Sequence, residues 1–445
     1  GVEAAANTYF QKKASELTKG EQAFLAAIPN NPSLYNPLKH FDRTKKRQER
    51  LIDLMAKEGY LNGEEAEQIK IEPIALKTKK KINKHPDFTT YVEAELKELI
   101  ARAEGYEKQI NEAGSKEEKT LLKEKLNKRT EELIRSGIVI ETSLDPYIQD
   151  IAKGAVKKYL PYKSIEGAAV AIDHRRNEII ALTGGKNYKK YDFHRGVQAY
   201  RQPGSAIKPL LDYAPYIERT NASLSEKISA GDFCANGYCP KNYGGATYGM
   251  VTLEQAFIRS YNTPAVRLLH KTGIENGFSD LKKFQFKKLV KDDYRLPAAI
   301  GGFTYGMTPL ELTDAYTVFA NYGSYRPARA IRQVTDLSGN VLYKWEEKPV
   351  PVWNENTVQK MRTLLHKTVV SGTGRKAYFQ SGYIGGKTGT TNDWHDLWFV
   401  GLTEHITAGV WVGKDNPSNI RSVESAAPQM AIWKEIARNA SKINQ

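Results

Sequence analysis

A serine hydroxyl is a weak nucleophile and needs a base beside it. A lysine three residues further on can be that base when it is neutral, since helical spacing puts both on one face. Ser-x-x-Lys occurs twice, at Ser205–Lys208 and at Ser279–Lys282. Two companion triplets complete a set suited to serine acyl transfer. Ser-x-Asn stands at Ser260–Asn262 and Ser338–Asn340, and Lys-Thr-Gly at Lys271–Gly273 and Lys387–Gly389. Strings this short recur by chance, so their surroundings must choose among them.

Ser205 lies in RQPGSAIKPLL, where Pro203 and Gly204 permit a sharp approach and let the serine open a helix. On an α-helix the hydroxyl and the Lys208 amine would be roughly 4.5 Å apart along the axis. Pro209 suits a first turn but not a helix interior. Ser279, in GFSDLKKFQF, reads instead as a helix N-cap followed by a solvated lysine face. Gly273 ends the helical run LEQAFIRSYNTPAVRLLHKT, so Lys271 belongs to an ordinary helix terminus. The small residues around Lys387 in GGKTGTT suit a strand whose edge admits a substrate backbone. Ser338 falls in DLSGNVLY, a tight turn with Gly339-Asn340 at positive φ. Ser205, Ser260 and Lys387 are therefore the functional choices.

Their roles follow from chemistry. Ser205 attacks; Lys208, its pKa lowered by burial and by a second cation such as Lys387, takes the proton. Ser260 relays a proton to the leaving group, and Asn262 holds a substrate amide. Lys387 and Thr388 fix an anionic group, with Gly389 leaving room for it. The backbone N–H groups of Ser205 and Thr390 form an oxyanion hole, each donor worth about 3 kcal/mol.

The elements that must position these groups are mixed. Residues 1–60 read as helices broken by the prolines of PNNPSLYNP, with Leu51, Leu54 and Met55 on one apolar face of the second long helix. Residues 61–137 read as a linker with a charged helical hairpin, whose Val92, Leu96, Leu99 and Ile100 recur at helical spacing. The hairpin is expected to present a solvated helical face rather than to act as an interaction arm. Residues 138–445 have α/β (α+β) texture: strand-like runs at both ends, GAAVAID, EIIALTGG, YIGGKTGTT, WHDLWFVGLT and ITAGVWVG, enclose a helical middle. A central antiparallel sheet flanked by helices, with a helical subdomain, is the expected fold.

Composition narrows the class. A charge of +15 invites a nucleic-acid reading, but even the densest run, Lys77, Lys79, Lys80 and Lys81, has no interleaved aromatics. Anionic lipid or a wall polymer explains the charge at least as well, and no nucleic acid is expected. Cys234 and Cys239 cannot fill a zinc site alone; a local disulfide and two free thiols both remain open. No metal or cofactor is expected. Because Gly1 falls inside a helical run, the chain is expected to be part of something longer, its membrane anchor outside this sequence.

QPGSAIKP, VTLEQAFIRSYNTPAVRL, GGFTYGMTPLELTDAYTVFAN and GGKTGTTNDWHDLWFVG are long and specific, and through them nearly the whole chain resembles the class A penicillin-binding proteins. GVEAAANTYF and LTKGEQAFLAAIPNNPSLYNP resemble the tail of that family's glycosyltransferase domain. The resemblance implies a penicillin-binding, serine β-lactamase-like domain that cross-links peptidoglycan stem peptides ending in D-Ala-D-Ala and is acylated by β-lactams. It implies action outside the cytoplasmic membrane, with other wall-synthesis proteins as possible partners. The rivals are a D,D-carboxypeptidase or β-lactamase, which differ in admitting water to the acyl-enzyme, and a non-enzymatic penicillin sensor or scaffold. The C-x4-C loop departs from the family pattern. The family's polymerising glutamates map upstream of Gly1, so this chain is expected not to polymerise glycan. Glycan chains formed from lipid-linked disaccharide peptide would overturn that expectation.

Overall fold

A computed structural model describes residues 1–78 and 83–443, so Lys79, Lys80 and Lys81 of the basic run lie outside the described residues. The chain forms two compact units, one of Gly1–Lys84, Ile100–Ile140 and Val334–Tyr343, the other of His85–Leu99, Glu141–Gln333 and Lys344–Gln445.

In the smaller unit the helix Lys19–Ala27 starts with a capping box. The Thr18 hydroxyl accepts from Glu21 N at 3.2 Å, and the Glu21 carboxylate accepts from Thr18 N at 3.0 Å. Phe24 lies edge-on to Phe10 and beside Phe41, giving this unit an apolar cluster. The helix Phe41–Lys57 corrects the expected apolar face. Leu54 and Met55 are exposed, while Ile52 is buried in line with Thr44 and Gln48. The buried stripe can hold polar residues because they are bonded: Gln48 Nε2 donates to Gly20 O at 2.8 Å, and Thr44 Oγ1 to Tyr35 O at 3.1 Å. The helices Tyr106–Glu112 and Lys116–Ser136 keep the charged texture expected of a hairpin.

The larger unit is built on a five-stranded antiparallel sheet. Its strands are β1 (Glu166–Asp173), β2 (Glu178–Leu182), β3 (Ile384–Thr390), β4 (Asp396–Thr403) and β5 (Ile406–Gly413). Their order is β3-β4-β5-β1-β2, so the two ends of the domain sequence meet in one sheet and β3 is an edge. Every residue of β4 and β5 is buried, because both faces are covered. Alternation sorts the side chains. Leu397 and Phe399 pack toward helices α1 (Pro146–Tyr159) and α4 (Pro428–Ile443), with Trp433 edge-on to Phe399. Trp398, Val400 and Leu402 face the helical insert, including Leu210, Leu211 and helix α2 (Asn262–Thr272). Helix α3 (Glu355–Ser371) leads back to β3. The expected α/β architecture is what forms.

Two local expectations change. Ser279 is not an N-cap: the helix Ile274–Leu281 starts directly after Gly273, leaving Ser279 exposed within its last turn. Asp280 next to it is buried, accepting from Arg219 at 2.7 Å and from Trp353 Nε1 at 3.0 Å. Val92, Leu96 and Leu99 are buried as their spacing predicts, but residues 85–99 are not the solvated helical face expected of this segment. Glu95, 1% exposed, accepts from Ala330 N (2.9 Å), Ile331 N (2.9 Å) and Trp345 Nε1 (3.0 Å), which fastens this stretch into the larger unit.

Replacing Glu95 by leucine strands these three donors in a buried site. Thermal unfolding should show a Tm lower by several degrees, equivalent to about 3 kcal/mol.

Candidate active site

Pro209 decides the shape of the Ser205 turn. It has no N–H to give the Ser205 carbonyl, so an α-helical bond there is impossible. Lys208 N donates to Ser205 O instead, making Gly204–Ile207 a 3₁₀ turn, and Pro209–Tyr213 continues as a π turn. The α-helix expected at Ser205 is therefore replaced. With three residues per 3₁₀ turn, residue 208 still follows residue 205 on the same face. Two side chains hold the turn from outside: Trp398 Nε1 donates to Gln202 O at 2.9 Å, and Tyr316 OH to Ala206 O at 2.5 Å.

The Lys208 amine is fully buried. It donates to Ser260 O (2.8 Å), Tyr261 O (3.0 Å) and Asn262 Oδ1 (2.8 Å), and lies 3.5 Å from Ser260 Oγ. Ser260 follows the short helix Leu253–Ile258 and has φ 58°, a left-handed backbone uncommon for serine. The Lys387 amine, also fully buried, donates to the same Ser260 Oγ at 2.8 Å and to Thr388 O at 3.2 Å. One hydroxyl thus stands between two amines.

Burial pushes Lys208 down to about 7, against the opposing pull of the buried Asp212. Burial, reinforced by repulsion from Lys208, pushes Lys387 well below the usual lysine range. A buried neutral amine can accept a proton from an adjacent hydroxyl at neutral pH.

Strand β3 meets the serine turn along glycines. A Cβ on Gly389 would come within 2.4 Å of Pro203 O, and one on Gly204 within 2.6 Å of Thr390 O and 3.0 Å of Thr390 N. This close approach sets the Thr390 backbone against the residue before Ser205. Thr388 and Thr390 are half-buried, and the Thr388 hydroxyl lies 2.9 Å from that of Thr373. The arrangement offers groups that acyl transfer could use: a serine at a tight turn, a lysine whose burial eases loss of its proton, a second hydroxyl between two amines, and an edge strand.

The alternative triplets sit elsewhere. Gly273 caps α2 with φ 86°, and Ser338 lies in a turn where Gly339, at φ 89°, is left-handed and Asn340 is not. Cys234 and Cys239 are joined as a disulfide. Sequence reasoning passed over Gly301, Tyr316, Thr373 and Asp212. Asp212 had a signal in its spacing, four residues after Lys208; the others had none in single-sequence spacing.

Two family models match. The penicillin binding protein transpeptidase domain covers residues 167–434, and the transglycosylase covers residues 1–56. Penicillin-binding protein 4 of Bacillus subtilis is 51% identical over 434 residues, spanning 98% of this chain and 69% of that protein. Penicillin-binding protein 1A of Aquifex aeolicus is 32% identical over 500 residues, spanning 97% of this chain and 67% of that protein. Penicillin-binding protein 1F of Bacillus subtilis is 32% identical, and the chain spans 56% of its length. Among solved structures, penicillin-binding protein 1A of Haemophilus influenzae aligns over 99% of this chain and 82% of its own, with TM-score 0.71 and 21% identity. The PonA1 protein of Mycobacterium tuberculosis, in complex with penicillin V, covers 70% of this chain and 87% of its own (TM-score 0.60, 23% identity). At such identities these two speak for the fold.

Gly301, at φ 92°, lies so close to the serine turn that a Cβ would sit 2.3 Å from Gly204 N. Gly301→Ala should slow covalent labelling by penicillin about a hundredfold through displacement of that turn. Stopped-flow labelling, with circular dichroism to verify the fold, checks this.

Proposed function

This chain belongs to the penicillin-binding protein transpeptidase family, and from that premise we propose that it is a serine D,D-transpeptidase acting through an acyl-enzyme at Ser205. The family assigns it a peptidoglycan transpeptidase or related role; the residue-level mechanism is our reading. The observation that carries it is the Ser260 hydroxyl shared by two buried amines, Lys387 at 2.8 Å and Lys208 at 3.5 Å.

Neutral Lys208 takes the proton as Ser205 Oγ bonds to the penultimate D-Ala carbonyl carbon. The N–H groups of Ser205 and Thr390 receive the developing oxyanion. The proton passes through Ser260 to the departing amine, and terminal D-Ala leaves. An amine of a neighbouring stem peptide then attacks the ester carbonyl, and its proton passes through the same relay to Ser205 Oγ as the ester C–O bond breaks. The substrate carboxylate binds at Lys387, Thr388 and the Gly389 edge, and its charge favours protonation of Lys387. Asn262 contacts the substrate amide. A β-lactam acylates Ser205 by the same route and keeps its leaving group tethered.

Residues 1–60 are proposed to be the end of a glycosyltransferase domain and 138–445 the transpeptidase domain, working at the outer face of the cytoplasmic membrane. Among the described residues no helix is long and apolar enough to cross a membrane.

Fluorescent penicillin should label the wild type and not Ser205→Ala. Persistent labelling of the variant would remove Ser205 from its role. Label release over hours supports the transferase reading, and release within seconds favours a hydrolase. Because protonation disables the base, the labelling rate should fall as pH drops through about 7, the value set by burial of Lys208. A flat rate from pH 5 to 9, measured by stopped flow, would count against Lys208 as the base.

A further inference from the structure

The Ser260–Asn262 segment borrows much of its support from a distant loop. Helix α2 begins at Asn262, and its first N–H groups need acceptors. Its own N-cap position, Tyr261, supplies no side-chain bond. The missing acceptor arrives from the loop of residues 231–249. Asn242 Oδ1 accepts from Asn262 N at 2.8 Å, from Thr263 N at 3.0 Å and from Thr263 Oγ1 at 3.4 Å. Its Nδ2 donates both hydrogens, to Ala230 O (3.0 Å) and Ala246 O (3.1 Å). Asn242 is only 4% exposed. Lys241 O, next to it, accepts from Asn262 Nδ2 at 2.9 Å.

The same loop grips α2 one turn and more further along. Arg267 Nη2 donates to Asp232 O at 2.5 Å, and its guanidinium lies over the Phe233 ring, 4.5 Å from the centroid. Phe233 also meets His270 edge-on at 5.7 Å. The Cys234–Cys239 disulfide closes the stretch between these two grips.

We propose that Asn242 is a positioning residue for acylation, acting as a remote cap that sets the start of α2 and so aims Asn262 Oδ1 and the Ser260 and Tyr261 carbonyls at Lys208. The inference rests on the proposed role of Lys208. An apolar residue at 242 leaves two helix N–H groups unmet, the start of α2 moves, and Lys208 loses acceptors that favour its ammonium form. The titratable groups bearing on that amine are Lys387 from β3 and Asp212, four residues along its own chain. Neither touches Asn242 in any bond described above, so the change is read at Lys208 without altering them directly.

The test compares wild type, Asn242→Leu, Asn242→Asp and Ser205→Ala, all as the full chain, by pH-dependent penicillin acylation. Rates are normalised to the active-site titre, so a misfolded fraction drops out. Asn242→Leu should lose about tenfold to a hundredfold in plateau rate. Its acidic limb should move to lower pH by about half a unit or more. Asn242→Asp keeps an acceptor toward α2 but sets its second oxygen against the Ala230 and Ala246 carbonyls, so it should recover only part of the plateau, with its limb above that of Asn242→Leu. A limb that stays fixed in Asn242→Leu, with a normalised plateau like wild type, overturns the proposal. So does an Asn242→Asp limb at or below that of Asn242→Leu. Labelling of Ser205→Ala would instead sink the underlying reading, so the two failures are distinct.

Discussion

Two lysine amines, both withdrawn from water, are held on either side of one serine hydroxyl, and a few neighbouring carbonyl and amide groups make that tolerable. A buried ammonium without partners is expensive, so it must be paired, solvated by protein dipoles or discharged. Lys208 is met by two backbone carbonyls and one side-chain amide oxygen rather than by a bonded carboxylate. Asp212 is fully buried close by, with neither oxygen hydrogen-bonded, and burial pushes its carboxyl well above the usual range. Neutral dipoles let a lysine exchange its proton more readily than a tight ion pair would.

Three constraints bring the second amine to that hydroxyl. Pro209 denies the Ser205 carbonyl its α-helical donor and so tightens the turn. Ser260 accepts a left-handed backbone that directs its carbonyl to Lys208. Gly204, Gly301 and Gly389 remove the Cβ atoms that would hold β3 and the neighbouring loops off the serine turn. Each alone is a small local departure from regular structure. Such departures gather where function sets the demand.

The sheet supplies rigidity of a different kind. Strands β4 and β5 are covered on both faces, and β4 sends Trp398 to bond the backbone just before the serine turn. Strand β3, at the edge, has one side paired with β4 and the other facing the serine turn. An extended peptide meeting that free side would find backbone groups already aligned.

Several parts were legible in the residues alone. Strand-like apolar runs and the short turns between them marked the sheet and its order of texture, because these depend on neighbours in sequence. The flanks of Ser205, Ser260 and Lys387 set them apart from the duplicate triplets for the same reason, and Lys208, Ser260 and Lys387 do come together. Burial of Glu95, the polar stripe of Thr44 and Gln48, and the engagement of Asn242 with α2 were not legible. Each joins a polar group to a backbone atom many positions away, and a local pattern treats an acid or amide as solvated. The motif residues and their immediate flanks by themselves nominated the side chains for the chemistry and the kinds of element that would carry them. Only the tertiary structure decided that two amines share a hydroxyl and which carbonyls surround them, because burial and distance between remote segments are properties of packing.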